Sequence, residues 1–412
     1  MNRFPLWMSC AGILVAVCGA IAPGSAPAGS LRSLLGETEL EASLASVLQA
    51  IDRNATDDGH AGARAGYRGD LEATLPLGNS GRGRGSLHGH LRVGQGSGLQ
   101  THSTHTGALN SLAFAASSSG DAFAILAQLY YQFEYPLDPD PPPGRSRGAR
   151  RLEVTAGKLD PFVFFDQNAV AGDETTAFLN NVFVHNPLLD SGGDLGADRY
   201  GFTKGVRAAW YGDADDDLGI GASIGLFGTG RGADLGGSPR RPLAIAQVEM
   251  SPRGGDGETA GTFRLYGWSN PQTEDFDGMR ARHTGWGASL DLRVASALNL
   301  FGRYGRRTRG HGQFDKALTV GFEASGTAWG RADDAIGVGW GTLATDDLHA
   351  RTERAAAGGR PSRSEQILEV FYRMTANRYL DVSPGVQVIR RPGGDSTAPG
   401  FVVAGVRIRI AA

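Results

Sequence analysis

The stretch DAFAILAQLYYQFEY, Asp121 to Tyr135, decides the fold class. Phe123, Ile125, Ala127, Leu129, Tyr131, Phe133 and Tyr135 fall on one face at a spacing of two, and Gln128, Tyr130, Gln132 and Glu134 on the other. Wound as a helix, the run would scatter its aromatics around the axis. As a strand it sorts into an apolar and a polar face. PLDPDPPPGRSRGAR follows, a proline-rich connection that cannot sit in a sheet. Before it, GYRGDLEATLPLG and SLHGHLRVGQGSG read as a first hairpin with its turn between Asn79 and Gly85.

The same alternation repeats to the end of the chain. YGFTKGVRAAWYG, LGIGASIGLFGTG, PLAIAQVEM, TFRLYGWSN, WGASLDLRV, LNLFGRYGRR, LTVGFEASG, AIGVGWGTL, QILEVFYRM, LDVSPGVQVIRR and FVVAGVRIRI are separated by glycine- and aspartate-rich turns. Charges recur in one register: Asp291 and Arg293, Glu369 and Arg373, Arg407 and Arg409. A single such strand fits a soluble sandwich as well. The repetition, with 62 glycines in 412 residues, favours a closed membrane barrel that is polar inside. The mean hydropathy of −0.23 fits as well, because lipid-facing and lumen-facing residues average out.

Residues 1–28 read as a secretory signal peptide. Arg3 precedes an apolar run that ends at Ala26-Pro27-Ala28. Both cysteines, Cys10 and Cys18, lie within that leader, so disulfides, cysteine metal sites and thiol nucleophiles are excluded from the mature chain. Residues 29–60 read as a short amphipathic helix: Thr38 and Glu41 form a capping box, and Leu40, Leu44, Val47, Leu48 and Ile51 share a helical face. Residues 61–412 then hold an all-β, transmembrane antiparallel barrel, and at roughly 22 residues per strand and connection they allow about 16 strands. Trp210, Trp268, Trp286, Trp329 and Trp340 are expected in interfacial girdles.

One segment breaks the period of two. GKLDPFVFFDQNAVAGDETTAFLNNVFVHNP, Gly157 to Pro187, starts as a strand and continues for about twenty residues of mixed carboxylates, amides, threonines and phenylalanines, too long for a hairpin connection. Gly157, Lys158, Asp160, Phe165, Asp166, Gln167, Asn168, Ala169, Asp173, Glu174, Thr175, Thr176, Phe178, Leu179, Asn180, Asn186 and Pro187 stand at the spacing of a signature of the carbohydrate-selective porins (the OprB type), and the segment closely resembles it. Near the C-terminus, Tyr372, Arg373, Thr375, Leu380, Pro384, Gln387, Ile389, Pro392, Gly393 and Gly394 resemble that family's closing hairpin. The final Ala411-Ala412 departs from its usual aromatic end. The resemblance implies a sixteen-stranded outer-membrane channel, exported through the signal peptide, for passive diffusion of mono- and small oligosaccharides. Outer-membrane lipid would surround it, and a homotrimer is the candidate assembly. No nucleic acid partner is implied.

The long segment is then expected to fold into the barrel around 160–187. Lys158, Asp160, Asp166, Asn168, Asp173, Glu174, Thr175, Thr176 and Asn180 would offer hydrogen bonds to sugar hydroxyls, with Phe162, Phe164 or Phe165 as an apolar platform. The same side chains could instead bond one another to hold the loop in shape. Arg207, Arg264 and Arg293, with Arg303, Arg373, Arg407 and Arg409, are the lumen-register cations that would face them. An arginine-rich wall also suits a general or anion-preferring porin. No catalytic, metal or cofactor site is expected. Asp213, Asp215 and Asp217 lack the glycine and glutamate of a calcium loop. His88 with His90, and His102 with His105, supply too few zinc ligands. Gly221-Ala222-Ser223-Ile224-Gly225 lies inside a strand pattern, unlike a nucleophile elbow.

Overall fold

The computed structural model describes residues 38–56, 59–80, 82–96, 98–99, 101–105, 107–114, 122–138, 150–190, 193–195, 200–215, 217–229, 241–254, 259–355 and 363–412. Among these, sixteen strands close into one barrel in which every strand pairs antiparallel with its sequence neighbours and the first pairs with the last. In chain order they are β1 (Glu39–Ile51), β2 (Gly62–Ser80), β3 (Gly83–Gln95), β4 (Phe123–Pro136), β5 (Arg151–Leu159), β6 (Thr203–Asp215), β7 (Leu218–Phe227) and β8 (Leu243–Pro252). The second half comprises β9 (Gly261–Glu274), β10 (Arg280–Ala295), β11 (Leu298–Arg309), β12 (Phe314–Gly326), β13 (Arg331–Thr345), β14 (Glu365–Asn377), β15 (Leu380–Arg390) and β16 (Phe401–Ala411). One end carries tight turns, as at 296–297 and 378–379. The other carries the long connections, above all residues 160–202 between β5 and β6. Closure leaves no sheet edge to lipid, where an unpaired backbone group is costly.

The amphipathic helix expected within 29–60 is not found where the structure describes that segment: Glu39–Ile51 is the strand β1. Leu40, Leu44 and Leu48 lie four apart, a spacing that satisfies a helical face and one face of a strand alike. Tertiary context decides between them. Without β1, the edges of β2 and β16 would be open. With it, Leu48 pairs opposite Val406 and Ala65, its side chain outward, while Ala45, Val47, Gln49 and Ile51 point inward and are buried. The barrel therefore starts at residue 39, not 61. The leader 1–28 and residues 29–37 fall outside the described residues.

Two smaller expectations also change. β4 pairs with β3 at His90↔Gln128 and then at Leu91↔Leu126, so one extra residue, Ala127, enters the strand. The bulge reverses the alternation. Ala124 and Leu126 are exposed on the outside, and Phe123 and Ile125 are turned to the face opposite Tyr131 and Tyr135. Trp286, Trp329 and Trp340 are outward as expected, but Trp268 is buried inside, its indole N–H donating to Asp194 at 2.8 Å. Elsewhere the outer face is an apolar belt: Val154, Val206, Ile224, Val248, Leu265, Leu290, Val320, Leu368, Val386 and Ile408 are all exposed.

Cysteines placed at Leu48 and Val406, in a chain whose Cys10 and Cys18 are serine, should oxidise to a disulfide between the first and last strands, seen as a reduction-sensitive shift in migration. A helical Glu39–Ile51 would leave the pair uncrosslinked.

Candidate functional site: a loop folded into the lumen

The 160–202 segment leaves the wall at a glycine that geometry requires. Gly157 has φ +151°, and a Cβ there would lie 2.3 Å from Leu129 O. Asp160 then caps a short 3-10 turn, Pro161–Val163. Its Oδ1 accepts from the Phe162 N–H at 2.9 Å, and its own N–H donates to Gln128 of the wall. With its phenylalanines and leucines the loop builds a core inside the barrel, against inward side chains of the strands. Phe178 lies 5.0 Å from Phe183, 5.2 Å from Phe301 and 5.1 Å from Phe371 (ring centroids). Leu188 and Leu189 are fully buried in the same cluster as Tyr266 and Trp268. A lumen-facing wall residue in a porin is ordinarily wetted. Here the wall is apolar where the loop covers it.

Polar anchors fix the loop's position. Asp166, at φ 56° and fully buried, accepts from the Asn186 N–H (2.5 Å), the Tyr266 hydroxyl (2.6 Å) and Arg303 Nε (3.2 Å). Arg303 also donates to the carbonyls of Asp166 and Phe183. Glu369 on β14 accepts both the Leu179 and Asn180 N–H groups, at 2.7 and 2.9 Å. Arg407 on β16 donates to the carbonyls of Glu174, Thr176 and Ala177. Farther along, Asp194 meets Trp268, His283 Nδ1 (2.7 Å) and Arg307 (2.9 Å). Asn186 sits over Gly287 and Gly305, where a Cβ at either would come within 2.5 Å of its amide. Those two glycines leave the slot into which Asn186 fits.

Beside the loop the lumen stays open as a cavity of about 1010 Å³. On one side stand Arg68, His90 and Arg92 from β2 and β3. Asp70 ties them together, at 2.8 Å from Arg68 Nε and 2.7 Å from both His90 Nε2 and Arg92 Nε. On the other stand Arg264, Arg293, Arg303 and Arg373. Glu174 projects from the loop onto Arg68. Phe162 stacks flat on His185 at 3.9 Å, and both line the cavity with Asp160. Burial pushes the Asp160 carboxyl up to about 7 against the Phe162 N–H bond that lowers it. Burial also raises the Glu174 carboxyl, but the facing Arg68 guanidinium prevails and holds it at about 2. Burial depresses the His185 imidazole to about 3, so it is neutral in physiological conditions.

The residues singled out in the sequence separate into three groups. Asp160, Glu174, Arg264 and Arg293 line the cavity with side chains that a solute can meet. Asp166, Asn168, Asp173, Thr175 and Asn180 spend their polar atoms within the loop or on its anchors. Asn168 Oδ1 accepts from the Val170 and Ala171 N–H groups, its Nδ2 donates to Leu290 O, and Asp173 accepts from the Thr175 N–H and hydroxyl and from the Thr176 hydroxyl. Two positions stand away from the cavity. Lys158 turns its ammonium to Leu126 O (3.0 Å) at the rim, and Arg207 pairs with Glu153 (3.0 Å) behind Phe164. The Arg68–Asp70–His90–Arg92 group escaped sequence reasoning. Its signal was present in GYRGDLEA and HGHLRV, where polar residues two apart on adjoining strands share the inward face.

Residues 60–411 match the model of the carbohydrate-selective porin, OprB family. The chain belongs to that family. It is similar to the high-pH structure of Pseudomonas putida OprB (TM-score 0.72, 18% identity, covering 93% of this chain and 96% of that one). The outer membrane channel DcaP of Acinetobacter baumannii is similar at a TM-score of 0.52 and 10% identity, covering 91% of this chain and 97% of that one. Among curated protein sequences none is similar. Membership makes the chain an outer-membrane, carbohydrate-selective porin, and the two structural likenesses show the barrel alone.

Two outcomes follow from the anchors and from Asp160. Glu369→Ala removes two charge-assisted bonds, each contributing about 1.5–3 kcal/mol. It should raise single-channel conductance and its noise while the barrel still migrates as a folded band; unchanged conductance would show that Glu369 does not restrain the loop. As pH falls from 8 to 6, Asp160 takes up a proton and the cavity loses a negative charge. Reversal potentials should therefore move toward anions, and Asp160→Asn should behave at pH 8 as the parent does at pH 6.

Proposed function

We propose that small neutral sugars pass through this cavity, with Arg68, Arg92, Arg264, Arg293 and Arg373 on the walls and Asp160 and Glu174 on the loop as its hydrogen-bonding rim. The observation that carries this reading is the pairing of charge: Asp70 faces Arg68 and Arg92, Asp291 faces Arg264 (2.7 Å), and Glu323 faces Arg373 (3.1 Å). A wall of paired charges presents planar donors and acceptors without a strong net field. Such a wall suits a solute rich in hydroxyls and poor in charge, and it weighs against an anion-preferring channel. Phe162 on His185 offers an apolar ring face at the same level, where a pyranose could slide. Binding must stay weak for the solute to leave.

Asp173 and Glu174 have different roles in this proposal although they are neighbours. Glu174 meets the solute path, while Asp173 shapes the turn that presents it. The signal peptide carries the chain out of the cytoplasm, the exposed apolar belt meets lipid, and the protomers assemble as a homotrimer around a shared outer face. No covalent chemistry is involved.

In planar bilayers, block of conductance by added glucose or maltose measures the sugar affinity. Arg92→Ala should weaken it about tenfold, the loss of one charge-assisted hydrogen bond, with ion conductance altered much less. Liposome swelling should fall steeply from mono- to trisaccharides. Equal swelling for charged and neutral solutes of one size would favour a general diffusion porin instead.

A further inference from the structure

The chain has only three lysines against its many arginines, and all three, Lys158, Lys204 and Lys316, stand within two residues of a strand end at the long-connection rim. Around Lys316 the outer face carries further cations in one oblique row. Arg282 on β10, Arg306 on β11 and Lys316 on β12 are each exposed and alternate with buried inward residues such as His283, Arg307 and Ala317. Arg306 and Lys316 stand directly opposite each other across adjacent strands. Like charges in that relation repel, and the two strands are nonetheless in unbroken register there. Between Arg282 and Arg306 lie the hydroxyls of Thr284 and Thr308, 2.9 Å apart. Nearby carboxylates are few: Asp315 is 3.8 Å from Lys316 Nζ, and Glu274 pairs opposite Arg280 higher on the rim.

Next to this row is a groove of about 530 Å³ lined by Arg241, Pro242, Ala244, Ser269, Pro271 and Arg282. Of its two arginines, Arg241 is held by its backbone and Arg282 by its side chain. The Arg241 carbonyl accepts from Thr229 and Gln272, and Arg282 Nη1 donates to Ser269 Oγ at 3.1 Å. The strand surface below is made of small residues, with Ala246 opposite Gly267 and Gly267 opposite Trp286, and Trp286 packs on Tyr304 at 5.2 Å. Arg241 and Arg282 thus stand on the rim side of a shallow apolar surface, and Arg306 and Lys316 stand beside it in the same cross-strand row, past the rings of Trp286 and Tyr304.

We propose that this face binds a lipid of the outer leaflet bearing two phosphates, one held by Arg241 and Arg282 at the groove and the other by Arg306 and Lys316, with an acyl chain lying along Ala244, Ala246 and Gly267. Long connections mark the outward side of such barrels, so the row stands at the headgroup level of the leaflet facing the medium. The second phosphate relieves the repulsion of the Arg306–Lys316 pair, and the arginines bind both through planar paired donors. The lipid occupies the outside of the wall, so its binding is separate from the sugar path.

The test uses the full barrel in detergent with bisphosphorylated lipid A as probe, read by native mass spectrometry. The parent should retain lipid A and discard both its dephosphorylated form and phosphatidylcholine. The triple variant Arg282→Gln, Arg306→Gln, Lys316→Gln should retain it at least tenfold less well, and Arg306→Gln alone should show a smaller loss. Block by glucose should be the same in all three proteins. Equal retention by parent and triple variant would overturn the proposal. So would displacement of the lipid by millimolar inorganic phosphate alone, which would make the row a general anion site. A changed oligomeric mass with lipid retention unaltered would assign the face to contacts between copies of the chain.

Discussion

The buried carboxylate of Asp166 is the constraint on which the rest of the lumen depends. It joins the loop's first turn to Asn186 through that residue's N–H, and joins both to one side of the wall through Tyr266 on β9 and Arg303 on β11. The residue adopts a left-handed backbone, a conformation that costs a non-glycine residue about 1–2 kcal/mol. Removing one partner of such a buried pair costs about 3–5 kcal/mol, which outweighs the strain. The wall was shaped to match, with glycines at 287 and 305 where Asn186 enters and phenylalanines at 301 and 371 where Phe178 packs. An open cylinder of sixteen strands would conduct almost anything of moderate size. What narrows it is a loop held by charge on one side and by an apolar core on the other.

That division explains how the polar residues of the loop are used. A long segment buried inside a barrel leaves many backbone groups without strand partners, and each must be satisfied. Glu369 and Arg407 satisfy donors and carbonyls from the wall, while Asn168, Asp173 and Asn180 satisfy them from within. Few polar side chains of the loop remain for a passing solute. Asp160 and Glu174 stand out among them, with most of the remaining solute contacts supplied by the wall.

Much of the barrel was legible in the sequence because the period of two is a local signal that lipid and water enforce on every strand. It failed where two periods coincide or where one residue is added. Leu40, Leu44 and Leu48 fit a helix as well as a strand, and only the need to close β2 onto β16 settles the matter. Ala127 slips the register of β4 by one, which no composition rule announces. The candidate site was half legible for a related reason. Acids and amides that look alike along the chain, such as Asp173 and Glu174, are separated by which way the folded loop turns them. The Asp70 hub lies on strands whose partners are set only by the pairing of β2 with β3.

The loop lies in the conduction path, and thiol labelling at Ala169 tests that most directly. Ala169 is exposed and lines the cavity. In a chain whose only cysteine is Ala169→Cys, a bulky methanethiosulfonate reagent added to an open channel in a bilayer should lower conductance in a single step, and saturating glucose should slow the reaction. Complete modification of the thiol with conductance unchanged would place the loop outside the path and contradict the account.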